Sequence, residues 1–322
     1  MTEPGYVVAI DLGGTKILSL CVDRDLKIVG EDRRPTEAGL GRDAVIDRMV
    51  ESAQAAAAGR SAQGIGISCP GPSDPRRGIV TTPPNLPGWH NVPLAELVRQ
   101  RTGIPTWIEN DANAGALAEF RLGAGRGSQH MILVAAGTGI GGGLVLDGRL
   151  YHGATGGAGE LGHMQLDPRG RLCNCGRRGC LEALASGSAL DAYARDIAAQ
   201  QPDGLVAQIA RREGEEPSAR ILDLATAAGD AAAREALERA GAYLGSGLTN
   251  LVDLFNPDVI AIGGSVRKSE VYMKTALAVP PREAFPQHAA DVRIVEAELG
   301  DDAPAMGAAI VAWEMLTTGE LP

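Results

Sequence analysis

Short apolar runs alternate along this chain with glycine turns and with longer stretches of three- to four-residue spacing. Tyr6 to Ile10 is an apolar run, Asp11-Leu12-Gly13-Gly14-Thr15-Lys16 interrupts it, and Ile17 to Val22 resumes it. That pattern predicts two strands joined by a turn, with a third strand over Leu26 to Arg34. Residues 41–58 carry Val45, Met49 and Ala53 at helical spacing. Short strands are predicted at Ile65–Ser68 and Pro105–Ile108, the latter running through Glu109-Asn110-Asp111 into a helix that ends near Arg121. Met131–Ala135 and Gly143–Leu146 then repeat the strand–glycine turn–strand pattern, with Asp147-Gly148 turning the chain into Arg149–Tyr151. A long helix is expected over 230–255, with Leu237, Leu244, Leu248, Leu251 and Phe255 on one face. A strand over Val259–Ile262 ends in Gly263-Gly264, and a last helix covers about 303–317. This alternation is α/β, and the repeated motif suggests two related halves sharing a cleft.

Composition narrows the functional classes. The 322 residues are 44% hydrophobic and 22% charged, enough to bury a sizeable core and against disorder. Aromatics are 3% and the net charge is −10, which argues against a nucleic-acid partner. No apolar run reaches the length of a membrane span, and the first residues lack a basic leader. A cytoplasmic location is the expectation. Three of the five cysteines fall between Cys173 and Cys180, which in a reducing compartment points to metal.

The turn Asp11–Lys16 lies between strands, so it is neither a Walker A loop nor a dinucleotide fingerprint, both of which open a helix. Gly13 and Gly14 let backbone approach an anion, Thr15 offers a hydroxyl, Lys16 a positive charge, and Asp11 can order a hydrated Mg²⁺. Thr138 and Gly139, in Gly137–Gly143, form a second such turn for a polyphosphate. Gly263-Gly264 suits backbone lying against a purine. Asp111 is the best general-base candidate: phosphorylating a neutral hydroxyl needs an aspartate to take its proton. Asn110 and Asp111 are also ordinary helix-capping residues.

His163 is followed 10, 12 and 17 residues later by Cys173, Cys175 and Cys180. Three thiolates and one imidazole close a tetrahedral site, which fits structural Zn²⁺ and leaves no position for catalysis. The ion would fix the backbones of Glu160 and Glu182, whose carboxylates can accept hydrogen bonds from sugar hydroxyls. Arg177 and Arg178 are expected to be solvated loop charges. Asn85-Leu86-Pro87-Gly88-Trp89 reads equally as a loop over the sugar and as a surface loop anchored by its tryptophan.

Together these residues resemble the ROK family, which groups sugar kinases with sugar-responsive repressors. The resemblance runs from Asp11 to Gly264 and is most specific at Glu160-Leu161-Gly162-His163 and the cysteine loop. There the usual Cys-Gly-Cys-Gly has Asn174 in place of its first glycine. It implies an actin-like, ribonuclease-H-like two-domain ATPase fold with ATP in a central cleft. The small domain would be residues 1–115 plus a C-terminal helix at about 302–322, and the large one 116–301. It implies Asp111 as base, Asn110, Glu160, His163 and Glu182 on the sugar, and Gly13, Thr15, Lys16, Thr138 and Gly139 on phosphate. His163 would serve zinc with one ring nitrogen and a sugar hydroxyl with the other. A homodimer is implied as well. The loop at Asn85 resembles that of the glucose-phosphorylating members, so glucose is the expected acceptor. N-acetylglucosamine, N-acetylmannosamine or another hexose, and a non-catalytic sugar sensor, stay open, as do donors other than ATP. With five residues ahead of Tyr6, no helix-turn-helix is expected.

Overall fold

The computed structural model describes residues 5–83 and 85–322. Its first sheet is built from β1 (Tyr6–Leu12), β2 (Lys16–Asp23) and β3 (Ile28–Pro35), then α1 (Arg42–Ala57) leads to β4 (Ala62–Cys69). A small hairpin, β5 (Ser73–Asp74) and β6 (Ile79–Val80), and α2 (Leu94–Thr102) precede β7 (Thr106–Asn110) and α3 (Asp111–Leu122). Strand order is β3-β2-β1-β4-β7, antiparallel over the first three and parallel from β1 outward. Alternation along β1 explains its unbroken apolar run. Val8, Ile10 and Leu12 face a core with α1, α2 and Trp89, while Val7 and Ala9 face α3 and the last helix. A strand covered on both sides loses the polar half of its pattern.

The second sheet repeats this plan. It uses β8 (Met131–Ala136), β9 (Ile140–Leu146) and β10 (Arg149–Leu150). The helices α4 (Leu181–Ala185), α5 (Gly187–Gln200), α6 (Leu205–Glu213), α7 (Ala219–Ala227) and α8 (Ala231–Phe255) follow, then β11 (Val259–Gly263). After α9 (Glu270–Leu277), α10 (Pro280–Glu283) and α11 (Pro286–Asp291) come β12 (Arg293–Glu296) and α12 (Ala303–Thr318). The order β10-β9-β8-β11-β12 is third, second, first, fourth, fifth, as in the first sheet. The repeated motif seen in the sequence is therefore a repeated topology. The sequence pattern does not single out the hairpin β5–β6, α2, the run α4–α7, α9–α11 or β12. In α8 the apolar stripe is buried through Leu251, whereas Phe255 is half-buried and its neighbour Leu254 is exposed.

The chain divides into two compact units, Met1–Gly127 with Gly143–Gly159 and Glu298–Pro322, and Ser128–Gly142 with Glu160–Ala297. The first unit thus extends past the sequence boundary at residue 115. All of α3 belongs to it, and the segment after Gly143 joins it because Gly143 lies directly on Ala112 and Ala116. In the first unit α12 covers the sheet and crosses α3 so closely that a β-carbon on Gly307 would sit 1.8 Å from the Ala114 carbonyl oxygen. Among the described residues no helix is long and apolar enough to cross a membrane.

Candidate active site

In the first unit β1 runs past Asp11 to Leu12 and β2 begins at Lys16, their antiparallel pairing ending at Leu12 and Ile17, so the turn shrinks to Gly13, Gly14 and Thr15. The Gly13 N–H donates to the Lys16 carbonyl at 2.9 Å, and Thr36 Oγ1 donates to the Gly13 carbonyl at 2.6 Å. Gly13 is therefore a backbone fixture of the turn. Gly14 lies against Asn85, to whose Cβ an added β-carbon would approach within 2.6 Å. Two segments about 70 residues apart, the turn and the Asn85 loop, are thus side by side. Leu86 and Trp89 of that loop are buried in the core, which makes the tryptophan an anchor and leaves Asn85 exposed beside the turn.

Asp11 accepts a hydrogen bond from Ser68 Oγ at 3.0 Å. Burial pushes its carboxyl up to about 6, against the opposing pull of the Ser68 bond. The charge of Asp111 pushes it further up, Lys16 pulls it down, and Asp301 adds a smaller upward push. Lys16 Nζ stands 3.8 Å from Asp301. Ser68 and Asp301 carry no sequence signal, because only sheet pairing and the α12 entry bring them here.

Asn110 ends β7 and caps α3: its Oδ1 accepts from the N–H groups of Ala112 and Asn113 at 2.9 and 3.1 Å, and its Nδ2 donates to the Gly71 carbonyl. Asp111 is the first helical residue, with Oδ1 accepting the Ala112 N–H at 2.8 Å.

In the second unit the Gly137 N–H donates to the Gly139 carbonyl, closing the second glycine turn. The turn is stitched to the start of α5 by the Gly187 and Ser188 N–H groups, which donate to the Gly137 and Thr138 carbonyls. Glu182 Oε2 accepts the Ile140 N–H at 3.0 Å, so this carboxylate braces the turn. Gly264, at φ +89°, comes so close to the Ala136 carbonyl that a β-carbon would stand 2.1 Å away, which places Gly263-Gly264 beside the same turn.

His163, Cys173, Cys175 and Cys180 present ligand atoms within 4.8 Å of one another. Cys173 Sγ lies 3.7 Å from His163 Nδ1 and Cys175 Sγ 3.6 Å from Cys180 Sγ. Four donors at zinc bonding distances on a tetrahedron stand about 3.4–3.8 Å apart, so the set fits Zn²⁺. Nδ1 faces the thiols and Nε2 faces Glu160, 3.9 Å away, which divides the two ring nitrogens between the cysteine cluster and a carboxylate. Glu182 Oε1 lies 3.9 Å from Cys173 Sγ, tying the cluster to the glycine turn. Asn174 is exposed. Arg177 is exposed, as the sequence suggests, and adds two bonds the sequence does not show: it donates to the His163 carbonyl at 2.8 Å and hydrogen-bonds Cys175, whose thiol is held down to about 6, chiefly by the Arg177 backbone bond. Arg178 donates to the Gly170 carbonyl. Cys21 and Cys69 are buried and free.

Two sheets of the same strand order and the likeness to solved ROK sugar kinases define an actin-like α/β protein of the two-domain sugar-kinase class. The chain belongs to the ROK family, whose model matches residues 7–315. It is 36% identical to a glucokinase of Thermotoga maritima, over 96% of this chain and 98% of that one. A ROK family glucokinase of Streptomyces griseus, solved in complex with glucose and AMPPNP, superposes with a TM-score of 0.80 at 32% identity, covering 96% of this chain and all of that one. A xylose repressor of Bacillus spizizenii is 31% identical over 97% of this chain and 78% of its own length.

Proposed function

We propose that this chain is an ATP-dependent hexokinase that converts glucose to glucose 6-phosphate with Asp111 as general base. The observation that carries it is the position of Asp111, first residue of α3, within electrostatic reach of Asp11 and the Lys16 turn. Near-full-length similarity to glucokinases supports glucose as acceptor and ATP as donor. Asp111 takes the proton of the sugar 6-hydroxyl as that oxygen bonds to the γ-phosphorus, and the bond from the γ-phosphorus to the bridging oxygen breaks to release ADP. Asn85, Asn110, Glu160, His163 and Glu182 accept and donate hydrogen bonds to the remaining hydroxyls. Gly14, Thr15, Lys16, Thr138 and Gly139 hold phosphate, with Gly13 fixing the first turn. Gly263 and Gly264 meet adenosine. Asp11 would hold a hydrated Mg²⁺, which supplies charge neutralisation on the phosphates. Zn²⁺ on His163, Cys173, Cys175 and Cys180 is structural. A cytoplasmic homodimer fits this role, since free thiolates and ATP belong to a reducing compartment.

The test is ADP release with Mg-ATP against glucose, mannose, fructose, N-acetylglucosamine and N-acetylmannosamine. Highest kcat/KM on glucose is the expected result. Preference for an N-acetyl sugar would keep the chemistry and replace the acceptor. The repressor relative supports the second reading, a sugar sensor; binding of glucose without turnover on any sugar or nucleotide would favour it.

A further inference from the structure

Beside the base-bearing turn lies a buried polar cluster with no part in the chemistry above. Glu109, the residue before Asn110, has a fully buried side chain, and His152, just past β10, is 10% exposed. His152 Nε2 stands 2.7 Å from Glu109 Oε2. The other carboxylate oxygen, Oε1, accepts the Asn110 N–H at 2.9 Å and Asn113 Nδ2 at 3.0 Å. Asp111 therefore sits between two residues, Glu109 and Asn113, that are joined by a side-chain hydrogen bond. A carboxylate this deep keeps its place only while each oxygen has its donors, because a buried acceptor without one carries the full desolvation cost. His152 Nε2 is the partner of the outer oxygen, and as the Nε2–H tautomer it donates to it. It also roots the loop that closes on its own carbonyl through the Ala158 N–H, two residues before Glu160.

We propose that His152, acting through the buried Glu109, is a positioning residue for Asp111. This rests on Asp111 being the base. The Nε2 bond fixes the Glu109 carboxylate, Oε1 fixes Asn110 and Asn113, and these set the first turn of α3 from which the Asp111 carboxylate projects. No proton passes along the chain, so hydrogen-bond donation alone is required of His152. Glutamine, whose amide nitrogen reaches a similar point, supplies it.

The experiment compares His152→Ala and His152→Gln in the native chain and in an Asp111→Asn background, with amide exchange at residues 110–113 read in parallel. His152→Ala is expected to lower kcat roughly 10- to 100-fold, as for a displaced catalytic group, with KM for ATP within about twofold. His152→Gln restores most of the loss. In Asp111→Asn, adding His152→Ala costs no more than about twofold, since there is no base left to position. Exchange quickens in His152→Ala and recovers in His152→Gln. Unchanged kcat, no rescue by glutamine, or an undiminished loss in the Asp111→Asn background would overturn the proposal. If His152→Ala does not fold, Glu109→Gln against Glu109→Gln/His152→Ala gives the same comparison without a buried charge. A native chain that phosphorylates no hexose would overturn the kinase reading instead. Amide exchange then decides the positioning role by itself, unchanged exchange overturning it.

Discussion

Two aspartates in the first unit stand in different surroundings. Asp111 is the first residue of α3 and the proposed base. Asp111→Asn keeps the hydrogen bond to the Ala112 N–H and removes the base, so kcat should fall about 10²–10⁴-fold while glucose still binds, as isothermal titration would show. Near-normal turnover would remove Asp111 from the role. Asp11 is the costly one, its carboxyl pushed up to about 6 mainly by burial. Between its unfolded value of 3.8 and about 6 the folded chain binds more protons than the unfolded. This group therefore favours folding below pH 4, and that contribution is lost as pH rises through 6. Without Mg²⁺, Asp11→Asn should raise the Tm by a few degrees at pH 7.5 and leave it nearly unchanged at pH 4. Equal shifts at both pH values would mean the charge is not buried. Neither residue's environment is legible from its local motif: Ser68 is 57 positions from Asp11, and only the parallel pairing of β1 with β4 brings them together.

The zinc-fitting loop shows how far an element can be read from sequence. All four donors lie within 18 consecutive residues, from His163 to Cys180, so chain connectivity alone brings them near one another, and the set was complete in the sequence. Its attachments were not. Glu182 reaches both Cys173 and the Ile140 N–H, and Arg177, read from sequence as solvated, holds the His163 carbonyl. The loop is thus a strut for the second glycine turn as well as for Glu160 and His163. Cys175→Ser should lose stoichiometric zinc by elemental analysis and weaken glucose and nucleotide together. Unchanged zinc content would sink the ligand assignment, and loss of glucose affinity alone would detach the loop from the glycine turn.

At the scale of the whole molecule, ligands that bind only the folded chain stabilise it by mass action. Glucose and a non-hydrolysable ATP analogue, each at about 100 times its Kd, should each add roughly 2.7 kcal/mol, seen as a Tm rise of a few degrees. A rise with nucleotide and none with any sugar would argue against a sugar substrate. The sequence by itself determined the α/β alternation, the strands about each glycine turn, the helices α1, α3, α8 and α12, and the grouping of His163 with Cys173, Cys175 and Cys180. These depend on spacings of a few residues, which backbone periodicity and local capping express directly. Tertiary structure alone decided that the two sheets share one strand order and that Trp89 is a core anchor. It also placed Asp301 beside Lys16, and it joined Glu109 to His152 across 43 positions. Such pairs have no period and no fixed spacing. They exist because strands distant in sequence become neighbours, and because a buried carboxylate must find its donors wherever the packed chain supplies them.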